Sequence, residues 1–107
     1  MINVAEYALS KLGAREDYPF GPDTTVFRVG GKIFALCGAV EQPRTINLKC
    51  DPMRAQILRQ DYPEITPGYH MNKRHWNTLD LTGNLSDDLV RELIDHSYDL
   101  VSSGKRA

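Results

Sequence analysis

The chain has 107 residues, 13 Lys+Arg against 14 Asp+Glu, three His, two Cys and a net charge of −1, with 41% hydrophobic residues. That length suits one domain, residues 1–107, burying roughly two thirds of its unfolded surface around a single core, and it excludes a two-domain enzyme. No apolar run approaches the ~20 residues of a membrane helix, the amino terminus lacks a basic stretch followed by an apolar one, and two Cys without CxxC spacing are too few for a disulfide scaffold; a cytoplasmic protein with reduced thiols and no membrane partner is expected.

Asn3 followed by Glu6 resembles a capping box, and Ile2, Ala5, Ala8, Leu9 and Leu12 repeat at helical spacing up to Gly13, predicting a helix over residues 3–12. Thr24 to Val29 and Lys32 to Cys37 are rich in β-branched and aromatic residues, and Gly30-Gly31 between them supplies the positive φ values of a two-residue hairpin turn. Arg44 to Cys50 alternates as a half-exposed strand, with Ile46, Leu48 and Cys50 on one side. Asp51-Pro52 starts a helix through Arg59, with the carboxylate accepting from free N–H groups and proline at a position where no donor is needed. The Tyr62-Pro63 and Pro67-Gly68 turns stop it. An extended piece is predicted near Tyr69 to Asn72 and a strand over His75 to Leu81. Ser86 then caps a final helix in which Leu89, Val90, Leu93, Ile94, Ser97, Leu100 and Val101 form a buried stripe.

The order predicts an α+β fold, a two-layer sandwich with an antiparallel sheet packed against amino- and carboxy-terminal helices. The near-neutral net charge argues against a nucleic-acid binder that works through bulk positive potential, but the charge is segregated. Residues 25–50 sum to +3 and residues 70–82 to +1, while the remaining, mainly helical segments sum to −5. A basic sheet face beside an acidic helix layer is therefore expected.

The run Pro67-Gly68-Tyr69-His70-Met71-Asn72-Lys73-Arg74-His75-Trp76-Asn77-Thr78 resembles the signature of the MmcQ/YjbR family. So do Tyr18-Pro19-Phe20-Gly21, the Asp51-Pro52 helix start, the Tyr62-Pro63 pair and the closing Asp95-His96-Ser97-Tyr98-Asp99-Leu100-Val101. The resemblance implies a fold similar to CyaY, the bacterial frataxin homologue, and the DNA-binding role, through a double-wing motif, that is predicted for the family. It implies no catalytic residue. The iron chemistry of frataxins is disfavoured, because hard cations need clustered carboxylates and the first helix here offers Glu6, with Glu16 and Asp17 beyond its end.

Candidate nucleic-acid contacts follow from residue chemistry. Lys73 and Arg74 suit phosphate oxygens, Asn72 suits a base edge or a backbone group, and the rings of His75 and Trp76 suit stacking on an exposed base. Against this, a lone Trp usually anchors a core, and His75 suits the cap of a turn. Arg28 and Lys32 flank the hairpin turn as a wing tip, or blunt a sheet edge. Arg44 and Lys49 complete the basic set. The three His lack metal-ligand spacing, Cys37 and Cys50 read as small core hydrophobes, and no nucleophile motif or phosphate-binding glycine loop occurs. The expectation is a non-enzymatic DNA-binding domain without cofactor or metal. The alternative is an adaptor that takes a protein or small molecule between Trp76 and the last helix, and an enzymatic role comes third.

Overall fold

The computed structural model describes residues 2–68 and 71–103. Asn3 Oδ1 accepts from the Glu6 N–H at 3.0 Å and starts α1, Val4–Leu9. The helix stops short of residue 12. Ser10 Oγ donates to the Tyr7 carbonyl at 2.6 Å, the local bond by which serine competes with helix continuation, and Gly13 turns the chain at φ 78°. Leu12, part of the apolar repeat, is 89% exposed.

A strand that no apolar alternation announces follows, β1 (Arg15–Asp17), paired antiparallel with β2 (Thr24–Val29). β2 and β3 (Lys32–Gly38) form the predicted hairpin, and Gly30 and Gly31 take φ 58° and 81°, as a two-residue primed turn requires. Next come β4 (Thr45–Lys49), α2 (Pro52–Asp61), β5 (Ile65–Pro67), β6 (Trp76–Asp80) and α3 (Asp87–Ser103). The caps read from the sequence form: Asp51 Oδ2 accepts from the Arg54 N–H at 3.1 Å and Ser86 Oγ from the Leu89 N–H at 3.1 Å. Of the extended piece expected near Tyr69 to Asn72, only Met71 and Asn72 are described, and neither is in a strand. β5 precedes it, on the sheet edge where Pro67 is tolerated; Tyr69 and His70 lie outside the described residues, and Asn72 organises a turn.

The strands make one sheet in the order β1-β2-β3-β4-β6-β5, every neighbouring pair antiparallel. One face carries Phe27, Cys37, Ile46, Leu48, Ile65 and Leu79, and all three helices pack on it, through Val4 and Ala8 of α1, Ala55 and Leu58 of α2, and Val90, Leu93, Ile94 and Val101 of α3. The result is a two-layer α+β sandwich. Alternate strand residues point to the opposite face, away from the helices.

One irregularity shapes the core. Phe27 pairs with Ala35 and Arg28 with Ile33, so Phe34 is an extra residue, a bulge. Phe34 and Ala35 are both fully buried in the helix-covered core, and the Phe34 ring meets Tyr98 of α3 edge-on at 5.4 Å. Ser97 of α3 completes the ladder there. Its Oγ donates to the Phe34 carbonyl at 2.6 Å and accepts from the Lys49 N–H at 2.9 Å.

α1 is fastened to α3 by Asp95, whose Oδ1 accepts from Tyr7 Oη at 2.8 Å and Lys11 Nζ at 2.6 Å. These bonds, above all else, raise the pKa of both donors. Cys37 and Cys50 are free and buried; burial pushes the Cys37 thiol up to about 11 and moves Cys50 in the same direction. Among the described residues, no helix is long and apolar enough to cross a membrane.

Candidate functional site

Strand register decides which basic residues meet. Arg15 pairs with Arg28, Arg28 with Ile33, and Lys49 with Trp76. Because Phe27, Leu48 and Asn77 face the helices or lie buried, alternation puts Arg15, Arg28, Ile33, Lys49 and Trp76 on the open face. They lie at the end of the sheet that carries the Gly30-Gly31 turn, as a stepped basic row: Arg15, Arg28 and Ile33 are in register across β1, β2 and β3, and Lys49 is in register with Trp76 across β4 and β6, but Ala35 pairs with Leu48, so beyond the Phe34 bulge Ile33 and Lys49 are not partners. Lys32 opens β3 beside that turn, and Asn72 to His75 lead into Trp76 at the same end.

Arg44 does not join them. It precedes Thr45, which pairs with Asp80 at the opposite end of β4, and its carbonyl accepts from the Leu81 N–H at 2.8 Å. The length of β4, at about 3.4 Å per residue, separates it from Lys49. Its positive charge instead lowers the Asp80 pKa, after the larger effect of the Thr82 hydroxyl and N–H. Arg15 replaces it in the basic row. The charge sums placed Arg15 in an acidic segment, and only the pairing of β1 with β2 shows where it stands.

The row is partly neutralised at one point. Arg28 Nε donates to Asp17 Oδ2 at 2.9 Å and its Nη1 to the Gly31 carbonyl at 3.0 Å. Asp17 is held below the usual carboxylate range first by the Tyr18 N–H and then by this guanidinium. Lys32, Lys73 and Arg74 are exposed.

Asn72 to Trp76 form a hydrogen-bonded turn that leads into β6. Asn72 Oδ1 accepts from the Arg74 N–H at 3.0 Å, and the Asn72 carbonyl accepts from the N–H groups of His75 at 3.2 Å and Trp76 at 3.0 Å. Asn72 is thus first a turn organiser, and the oxygen that would read a base edge is already engaged. Lys73 Nζ donates to the Gly68 carbonyl at 3.2 Å. The Gly68 N–H donates to the Trp76 carbonyl at 2.8 Å, and a Cβ on Gly68 would lie 2.7 Å from Trp76 Cβ, so only glycine fits this approach. Arg59 of α2, which the sequence reading passed over, ties the turn from below. Its Nε donates to Asn77 Oδ1 at 2.7 Å and its Nη2 to the carbonyls of Lys73 and Trp76.

Trp76 is not the core anchor that a lone Trp suggests. Asn77 and Leu79 are the buried residues of β6, so the alternation of the strand leaves Trp76 half-buried on the open face. Beside it lies a groove of about 400 Å³, walled by Lys49, Cys50, Asp51 and Pro52 at the β4–α2 junction, by Asn72 and His75, and by Leu100 of α3. His75 is half-buried, and its carbonyl accepts from the Cys50 N–H at 2.8 Å, closing the junction. Behind the junction, His96 Nε2 accepts from the Asp51 N–H at 3.2 Å. Burial, and next the charge of Arg54, lowers the His96 pKa, which favours the neutral imidazole this bond needs. Among the described residues, no group of three His, Cys, Asp or Glu side chains gathers as a metal site.

Residues 9–100 match the YjbR family. The chain is 46% identical over 87 residues to the uncharacterized protein YbdF of Escherichia coli O157:H7, covering 81% of this chain and 71% of that one. It is 34% identical over 93 residues to the uncharacterized protein YjbR of Escherichia coli K12, covering 87% and 79%. Among solved structures, the crystal structure of a DUF419 domain protein from Deinococcus radiodurans superposes with a TM-score of 0.87 at 36% identity, over 95% of this chain and 78% of that one. A crystal structure from Pseudomonas syringae gives 0.76 at 34% identity, over 89% and 92%. With the family match spanning most of its length, and relatives of this similarity sharing its fold, the chain belongs to the MmcQ/YjbR family.

Proposed function

We propose that this domain binds DNA without catalysing a reaction, holding phosphates on the basic end of its open sheet face. The observation that carries the reading is that two registered pairs, Arg15 with Arg28 on β1 and β2 and Lys49 with Trp76 on β4 and β6, stand at the same end of the sheet, where Lys32 opens β3 at the hairpin turn and Lys73 and Arg74 precede β6. Phosphate oxygens spaced along a strand need several cations on one surface, and this end supplies them although the whole chain is near neutral. The acidic helices lie on the other face, and at ordinary salt their field fades over about 10 Å. A cytoplasmic setting is in keeping with two unpaired, buried cysteines.

The test is anisotropy of a labelled duplex titrated with the protein at several salt concentrations. Each phosphate contact contributes about 0.9 to the negative log–log slope, so a slope of a few is expected. Replacing Lys73 and Arg74 by Ala together is expected to weaken binding and flatten the slope. No binding at low salt to the duplex or to its separated strand, or an unchanged slope in that variant, would overturn the reading.

A further inference from the structure

We infer that the groove beside Trp76 receives one unstacked base of single-stranded DNA, so that the domain prefers single strands or frayed ends to intact duplex. The inference rests on the basic row being a phosphate surface and concerns what that surface positions. Lys49 belongs to both features: it stands in the row next to Trp76 and also walls the groove. A strand whose phosphates cross the row therefore passes the mouth of the groove within the length of one nucleotide.

The groove suits a base better than it suits a phosphate. It is lined by Trp76 and His75, by the apolar Pro52 and Leu100, and by Cys50 and Asn72, with the charges of Lys49 and Asp51 offsetting each other. Its volume of about 400 Å³ is in the range of pockets that hold small flat ligands. Trp76 is half-buried rather than in the core, and the bonds of Arg59 to the Trp76 and Lys73 carbonyls fix the backbone that carries it before any ligand arrives. A base paired inside a duplex cannot enter a concave pocket at a sheet end, whereas an unpaired base can swing out and stack.

The chain contains a single Trp, which makes its fluorescence a reporter of this groove alone. The protein is titrated with a short mixed-sequence single-stranded oligodeoxynucleotide and, separately, with its annealed duplex, following both Trp fluorescence and anisotropy of a labelled strand. Quenching by the single strand, with affinity about tenfold above the duplex as expected for one stacked base, supports the inference. Equal affinities, or a single-strand preference without quenching, overturns it while leaving the phosphate reading intact. Absence of binding to either probe overturns both. Trp76→Leu is expected to reduce single-strand affinity to that of the duplex, and retention of the preference in a folded Trp76→Leu chain counts against the groove. If that variant does not fold, the quenching measurement on the native chain still decides.

Discussion

Arg59 on α2 and Asn77 on β6 are joined by a 2.7 Å hydrogen bond from Nε to Oδ1, and Asn77 is only 2% exposed. A polar side chain at a core position of a strand is costly unless paired. Here it is paired by a charged donor whose other nitrogen holds the backbone of Lys73 and Trp76. One side chain therefore satisfies a buried amide and also sets the position of the basic turn.

Arg59→Ala removes all of these bonds and leaves Asn77 Oδ1 without its donor. The loss of a charge-assisted bond and the desolvation of the orphaned amide each amount to about 1–3 kcal/mol. Urea unfolding is expected to show destabilisation of about 2–4 kcal/mol. A change below about 0.5 kcal/mol, the size of an ordinary surface substitution, would show that water replaces the guanidinium without loss.

Ser97 at the β3 bulge gives a second case of one side chain serving two backbone groups. Ser97→Ala removes the hydroxyl partner of the buried Phe34 carbonyl and of the part-buried Lys49 N–H. The expected destabilisation is about 1–3 kcal/mol. Amide exchange of Lys49 in particular should accelerate, because its N–H loses its acceptor while the flanking ladder remains. Unchanged Lys49 protection in the variant would exclude the hydroxyl as its partner.

Protonation of His96 is expected to lower stability as pH drops below about 6.5. Its folded pKa is lowered by burial and then by Arg54, partly opposed by Asp51, Asp99 and Glu92. The unfolded chain therefore binds this proton at a higher pH than the folded one, and the unfolded state gains relative to the folded as pH falls. The contribution is fully present above the ordinary His value of 6.5 and is lost as pH falls from there through the folded pKa. Asp17 and Asp80, whose pKa values are also lowered, act only in the carboxylate range below 3.8. Urea midpoints between pH 7.5 and 5 should decline in the native chain and flatten in His96→Gln; parallel curves would assign the decline elsewhere.

Local signals made most elements legible in the sequence: the Asn3, Asp51 and Ser86 caps, the Gly30-Gly31 turn, and the apolar period of the last helix all formed as their chemistry dictates. What failed was information that local pattern does not contain. β1 is three charged, exposed residues that become a strand only because β2 offers a free edge. The site was legible as chemistry but not as arrangement. Trp76 changed from core to open face by the parity of one strand, Arg15 entered and Arg44 left through register, and Arg59 lacked any motif, since its function depends on how α2 lies over β6.

The separation of Arg44 from the basic row gives a comparison within one charge type. Both Arg44→Ala and Lys49→Ala remove one positive charge, so any effect of net charge is the same for the two. If phosphates follow the row, Lys49→Ala should weaken binding and reduce the salt slope by about 0.9. Arg44→Ala, at the far end of β4 beside Asp80, should leave the slope unchanged and weaken binding only slightly through long-range attraction, which salt screens. Equal losses in the two variants would mean that DNA is attracted by diffuse charge rather than seated on this end of the sheet, and a larger loss for Arg44→Ala would move the contact surface to the hollow that Arg44 lines with four threonines, Glu64 and Asp80.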